Sequence, residues 1–144
     1  MSQITLGILG GGQLGSMLSV AAKKLNIKTV IYCNDEDAPA KNFCDDFIYA
    51  EYDNNEKIND FAKKVDIITY EFENIPFETL NELNKLKTVL PKPSVNRLIQ
   101  HRLAEKDFIN KLNIRTTRYV HIESKEDLSP LGDFLPGILK TTTM

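Results

Sequence analysis

The sequence predicts an α/β fold built on a parallel sheet, and three observations carry that expectation. Short β-branched runs alternate with apolar residues at helical spacing, and a Gly-rich turn joins the first run to the first helical stretch. The chain has 144 residues, 42% hydrophobic and 26% charged, which is the composition of an ordinary globular protein.

Residues 4–9 form the first expected strand, ending in Gly10-Gly11-Gly12. Leu14, Met17, Leu18, Ala21, Ala22 and Leu25 then make a complete apolar stripe at helical period. Residues 28–33 return to β-branched sequence and close a βαβ unit, which implies parallel strands and a right-handed crossover. A third strand is expected at 46–50. Ile58, Phe61, Ala62 and Val65 mark a helix entered through Asp53-Asn54-Asn55, and residues 65–70 read as a central fourth strand. Pro76 begins the next helix, where its missing N–H costs nothing, and Phe77, Leu80, Leu83 and Leu86 supply its buried stripe. A short fifth strand at 88–90 stops at Pro91-Lys92-Pro93, whose two prolines hold the backbone extended and mark a domain boundary. Beyond it, Ser94 is the expected N-cap of helical sequence to about residue 112. A β-like run at 118–122, a short helix at 125–128 and a strand at 137–141 follow.

Charge divides at nearly the same place. Residues 1–84 carry seven Lys, no Arg, seven Asp and seven Glu, a net −7, whereas residues 85–144 carry a net +5 and all four Arg. The basic half lacks aromatic-rich nucleic-acid motifs, so a phosphate-bearing small molecule is the expected partner, with Arg suited to bidentate phosphate contacts. No run approaches the ~18 apolar residues of a membrane span, and Met1-Ser2-Gln3 is not the basic start of a secretion signal, so a cytoplasmic protein is expected. Cys33 and Cys44 lack metal-ligand spacing and read as reduced structural thiols.

Gly10-Gly11-Gly12-Gln13-Leu14-Gly15 fits GxGxxG between a strand and a helix, a turn that allows a ligand near the backbone and offers helix N–H groups to an anion. Asp35, 20 residues beyond Gly15, could hold a ribose hydroxyl, so a dinucleotide such as NAD is one reading. The same turn also serves sheet–helix packing or a single phosphate or ribose. At the end of the fourth strand, Thr69-Tyr70-Glu71-Phe72-Glu73-Asn74 would, if extended, direct both carboxylates to one side. They are either a solvated strand end or a hydrogen-bonding site for sugar hydroxyls or an amine. Arg102 and Lys106 share a helix face, whether as solvent-facing cations or as ligands. Lys140, alone in the apolar Gly137-Ile138-Leu139-Lys140, is either a phosphate ligand or a lysine reaching solvent.

Together GGGQLGSML at 10–18, TYEFENIP at 69–76, PKPSV at 91–95, QHRLAEKDFINKL at 100–112 and PGILKT at 136–141 resemble the N5-carboxyaminoimidazole ribonucleotide synthetases, ATP-grasp ligases of purine biosynthesis. The resemblance implies a Rossmann-like pre-ATP-grasp domain at 1–93, followed at 94–144 by the incomplete start of an ATP-grasp domain. It implies that Gly12, Gln13, Leu14 and Gly15 cradle the aminoimidazole ribonucleotide, with Glu73 on its ribose or amine. Arg102 and Lys140 correspond to positions contacting ATP phosphates, and Lys106 is a further candidate. ATP, Mg2+ and bicarbonate are implied, as is a homodimer for the full-length enzyme. Ser16 stands where relatives carry Arg, and His101 where Asp commonly precedes the Arg. The family's Gly-Tyr-Asp-Gly loop and acidic magnesium ligands would follow Met144, so an inactive N-terminal portion of the ligase is expected. The alternatives are a free-standing NAD-binding module and a formate-dependent glycinamide ribonucleotide transformylase, which typically has Glu in place of Gln13.

Overall fold

The computed structural model describes residues 3–143. The first unit, through Arg97, is built on a four-stranded parallel sheet, β1 (Thr5–Leu9), β2 (Lys28–Cys33), β3 (Asp46–Tyr49) and β4 (Ile67–Tyr70), in the order β3-β2-β1-β4. Parallel strands are buried on both faces, and the alternation of side chains separates two cores. Leu9, Val30, Tyr32 and Ile68 pack on one side against Phe61 of α2 (Asn55–Lys64) and Leu80 and Leu83 of α3 (Phe77–Leu86). Ile8, Ile31 and Cys33 point the other way and meet Ala38 and Ala40.

Helix α1 (Gln13–Lys24) turns an unexpected face to the protein. Its buried residues are Gly15, Ser16, Ser19 and Ala22, whereas Leu14, Met17 and Leu25 are 54%, 65% and 72% exposed. The apolar stripe read from the sequence is therefore largely outside. The reason is the close approach of the helix: a Cβ on Gly15 would lie 2.8 Å from the Gly10 carbonyl oxygen, so only small side chains fit beneath. The buried serine hydroxyls are satisfied within the helix, Ser16 donating to Gly12 O at 3.1 Å and Ser19 to Gly15 O at 2.9 Å. The helix ends in a Schellman motif, with Asn26 at φ 57° and Ile27 N–H donating to Ala22 O.

The expected fifth strand is reduced to one bridge, Val89 beside Ile68, made by Ile68 N–H to Thr88 O and Leu90 N–H to Ile68 O, each 2.9 Å. Pro91 has no N–H with which to extend the ladder. Instead of one helix from Ser94 to about residue 112, there are two, α4 (Pro93–Ile99) and α5 (Arg102–Lys111), with Pro93 as the first helical residue.

The second unit, residues 98–143 of those described, contains α5 and two 3-10 turns, Glu126–Leu128 and Gly132–Phe134. Neither 118–122 nor 137–141 forms a strand, because no neighbouring edge pairs with either among the described residues. Side chains tether Thr117 and Tyr119 to α5. Asn110 Nδ2 donates to the Tyr119 hydroxyl at 3.1 Å, and Lys106 Nζ donates to Thr117 Oγ1 at 3.0 Å. Among the described residues, no helix is long and apolar enough to cross a membrane.

Candidate functional site

The order β3-β2-β1-β4 places the topological switch point between β1 and β4, where open parallel sheets bind ligands at the carboxyl ends of their strands. Register brings the two chemistry-bearing segments together there. Leu9 lies opposite Tyr70, and Glu71 N–H donates to Leu9 O at 3.1 Å, so the glycine turn leaving β1 and the carboxylates leaving β4 are neighbours.

Glu71 reaches across this seam. Its Oε1 accepts a 2.9 Å hydrogen bond from Gly12 N–H at the N-cap of α1. Gly10 makes room for it: the residue sits at φ +105°, and a Cβ there would stand 2.7 Å from the same oxygen. Behind the loop the chain closes on itself. Ala40 N–H donates to Gly11 O at 2.9 Å, and a Cβ on Gly11 would lie 2.6 Å from Ala38 Cβ and 2.9 Å from Cys33 Sγ. The close approach that Gly11 permits is thus to the protein's own chain, not to a ligand.

The first turn of α1 presents Gln13 and Leu14 outward, with Gly15 buried below. Its leading N–H groups have no acceptor within the helix, which begins its own bonding at Ser16 N–H to Gly12 O. Glu73 is exposed in the turn after β4, where Ile75 N–H approaches Phe72 O at 3.4 Å. The extended alternation expected for Glu71 and Glu73 therefore does not occur: one carboxylate is committed to the glycine loop while the other stands in a turn. Asp35 is likewise committed locally, its Oδ1 accepting from Asp37 N–H at 3.0 Å to close an Asx turn.

Beneath the site, Tyr32 is fully buried and donates to Glu51 O at 2.7 Å. Burial, reinforced by the nearby Asp53 and Glu51 charges, pushes its hydroxyl up to about 12. Burial, followed by the adjacent Cys33 thiol, also raises Tyr52. Cys33 and Cys44 are free thiols, and burial raises Cys44.

In the second unit, Arg102 begins α5. Its N–H donates to Thr142 O at 2.8 Å, bringing the Lys140 segment to the start of the helix. His101 caps this helix, with Nδ1 accepting from Ala104 N–H at 3.2 Å. Lys106 is engaged by Thr117 and lies over the Tyr119 ring at 5.5 Å. Lys140 is exposed and outside any strand, with Ile138 84% and Leu139 73% exposed, so its ammonium carries no burial cost. Two of the other guanidiniums face aromatic rings, Arg97 over Phe77 at 4.8 Å and Arg118 over Phe134 at 4.4 Å. Among the described residues no group of three or more His, Cys, Asp or Glu is placed to hold a metal ion.

Comparison with known proteins gives this arrangement a lineage. The family model described as the ribonucleotide synthetase preATP-grasp domain matches residues 3–100. The chain belongs to that family. Its curated relatives include the N5-carboxyaminoimidazole ribonucleotide synthase of Staphylococcus epidermidis, 37% identical over 95% of this chain and 37% of that protein. The bifunctional purine synthesis protein purC/E of Dictyostelium discoideum is 41% identical over 97% of this chain and 14% of its own length. Among solved structures, the Staphylococcus aureus N5-carboxyaminoimidazole synthetase complexed with ADP has a TM-score of 0.81 at 31% identity, over 92% of this chain and 36% of that one. The Aspergillus clavatus synthase in complex with ADP and 5-aminoimidazole ribonucleotide has a TM-score of 0.77 at 28% identity, over 93% and 36% of the two chains. This preATP-grasp chain thus spans little more than a third of the synthases it matches.

Proposed function

We propose that this chain supplies the ribonucleotide-binding portion, and the beginning of the nucleotide-binding portion, of an N5-carboxyaminoimidazole ribonucleotide synthetase. That ligase uses ATP to join bicarbonate to the amine of 5-aminoimidazole ribonucleotide in purine biosynthesis, releasing ADP and phosphate. The observation that carries the reading is the likeness, over 93% of the chain, to a synthase that binds both ADP and the ribonucleotide.

In this reading residues 1–93 hold the ribonucleotide at the β1–β4 seam. Gly12, Gln13, Leu14 and Gly15 form the cradle, and Glu73 accepts hydrogen bonds from ribose hydroxyls or the amine. Carboxylates suit such a ligand because hydroxyls and amines donate to them. Residues 94–144 contribute Arg102 and Lys140 to ATP phosphates, with Lys106 as a further cation. The meeting of Arg102 N–H and Thr142 O supports a shared site for the first two. The chain's part in the reaction is binding and orientation, within a synthetase that acts as a cytoplasmic homodimer using magnesium.

Titration calorimetry tests the reading with this chain. 5-Aminoimidazole ribonucleotide is expected to bind at one site, NADH to give no heat, and Glu73→Ala to weaken the ribonucleotide about tenfold, the worth of one charge-assisted hydrogen bond. NADH binding without ribonucleotide binding would favour the free-standing dinucleotide module.

A further inference from the structure

Helix α5 starts on a titratable cap. The N–H groups of its first turn have no acceptor inside the helix. That of Ala104 donates to His101 Nδ1 at 3.2 Å, and that of Arg102 donates to Thr142 O at 2.8 Å. The helix's own bonding begins with Glu105 N–H to His101 O at 2.9 Å. One turn therefore carries the imidazole, the Arg102 backbone and the tether to the segment that bears Lys140. The common cap side chains, Ser, Thr, Asp and Asn, accept such a bond throughout the neutral range, whereas an imidazole accepts it only through an unprotonated nitrogen. Protonation puts a hydrogen on Nδ1 where Ala104 N–H points, so the acceptor becomes a second donor. It also sets a positive charge at the positive end of the helix dipole. His101 is half-buried and, among the described residues, makes no ion pair. Of the charged residues around it, Arg102 beside it, Arg97 four residues earlier in the chain and Lys140 on the tethered segment oppose the added charge. Glu105, one turn along α5, favours it.

We propose that His101 is a positioning residue that makes nucleotide-phosphate binding at Arg102 and Lys140 depend on pH. Its neutral imidazole caps α5 and keeps the Arg102 backbone on Thr142; its protonation loosens that turn and weakens the hold on phosphate. The inference rests on the reading of Arg102 and Lys140 as phosphate ligands for its ligand, whereas the link between the cap and the Arg102 tether stands without it. His101 touches no phosphate in this account and acts through the helix start that it completes.

The test uses the 144-residue chain and its His101→Asn variant, whose carbonyl accepts the same bond without titrating. Amide hydrogen exchange and calorimetric titration with ADP are run at about pH 5.5 and about pH 8, on either side of the ordinary imidazole value of about 6.5. Exchange is read as protection relative to an unstructured peptide at the same pH, which removes the intrinsic pH dependence. In the unmodified chain the Ala104 and Arg102 amides are expected to lose protection together on acidification, by about fivefold. In His101→Asn both should keep it. ADP affinity should fall about fivefold further on acidification in the unmodified chain than in His101→Asn, a difference from which the nucleotide's own titration cancels. The same pH dependence in both chains overturns the proposal. So does loss of Ala104 protection that leaves Arg102 unchanged, which is read in the unmodified chain and needs no variant to fold. Coupled loss at Ala104 and Arg102 in a chain that binds no ADP at either pH would sustain the positioning of Arg102 while removing the phosphate reading. ADP binding whose pH dependence matches that of His101→Asn would leave the phosphate reading standing and remove the proposal.

Discussion

Gly10 and Glu71 are the residues on which the site turns, and they constrain one another. Gly10 occupies φ +105°, a conformation that side chains rarely adopt, and its missing Cβ is the space that Glu71 Oε1 approaches. Gly10→Ala should therefore destabilise the protein by about 1–3 kcal/mol, measured as a lowered urea midpoint. It should weaken ribonucleotide binding as well. The glycine turn was legible from its spacing alone, and so was the proximity of the Thr69–Asn74 segment, because both follow strands of one parallel sheet. The separate commitments of Glu71 and Glu73 were not legible. Strand alternation applies only while the chain is extended, and β4 ends at Tyr70. Lys140 was expected on an apolar strand; it lies outside any strand and is exposed, so the cost of a buried ammonium does not arise there.

Among the elements, helices with conventional stripes were read well. Phe61 in α2 and Leu80 and Leu83 in α3 are fully buried, as their spacing implied. Helix α1 was read inside out because periodicity reports an apolar face without saying how closely the helix approaches its sheet. Gly15, Ser19 and Ala22 also recur at helical spacing, and this small-residue stripe marks the close face. A second overlooked signal is Lys-Leu-Asn-Ile, which occurs at 24–27 and 111–114. Both copies end a helix with Asn at positive φ, 57° at Asn26 and 60° at Asn113, and each Ile N–H returns to a carbonyl five residues back. The break before α5 has its own device in the His101 cap, which requires an unprotonated Nδ1 as acceptor. His101→Ala should cost α5 about 1 kcal/mol, read as faster exchange of the Ala104 amide hydrogen. His101→Asp should restore the protection.

At the scale of the whole molecule, stability is unevenly held. Every residue of the two apolar cores lies between Leu6 and Val89, and none of the described residues from 98 onward is buried. Hydrogen exchange should therefore divide the chain, with the amides of β1, β2 and β4 protected to near the global unfolding free energy and those of 113–143 exchanging through local opening. Uniform protection across both units would contradict this division. The charge reversal near residue 85 and the Pro-Lys-Pro at 91–93 precede the division after Arg97 by a few residues. The proposed function requires the β1–β4 seam to receive a ribonucleotide. Backbone amide chemical-shift mapping during titration with 5-aminoimidazole ribonucleotide tests it most directly. The largest shifts are expected at Gly12, Gln13, Leu14, Gly15 and Glu73; shifts confined to residues elsewhere, or none at saturating ligand, would rule out ribonucleotide binding at the seam.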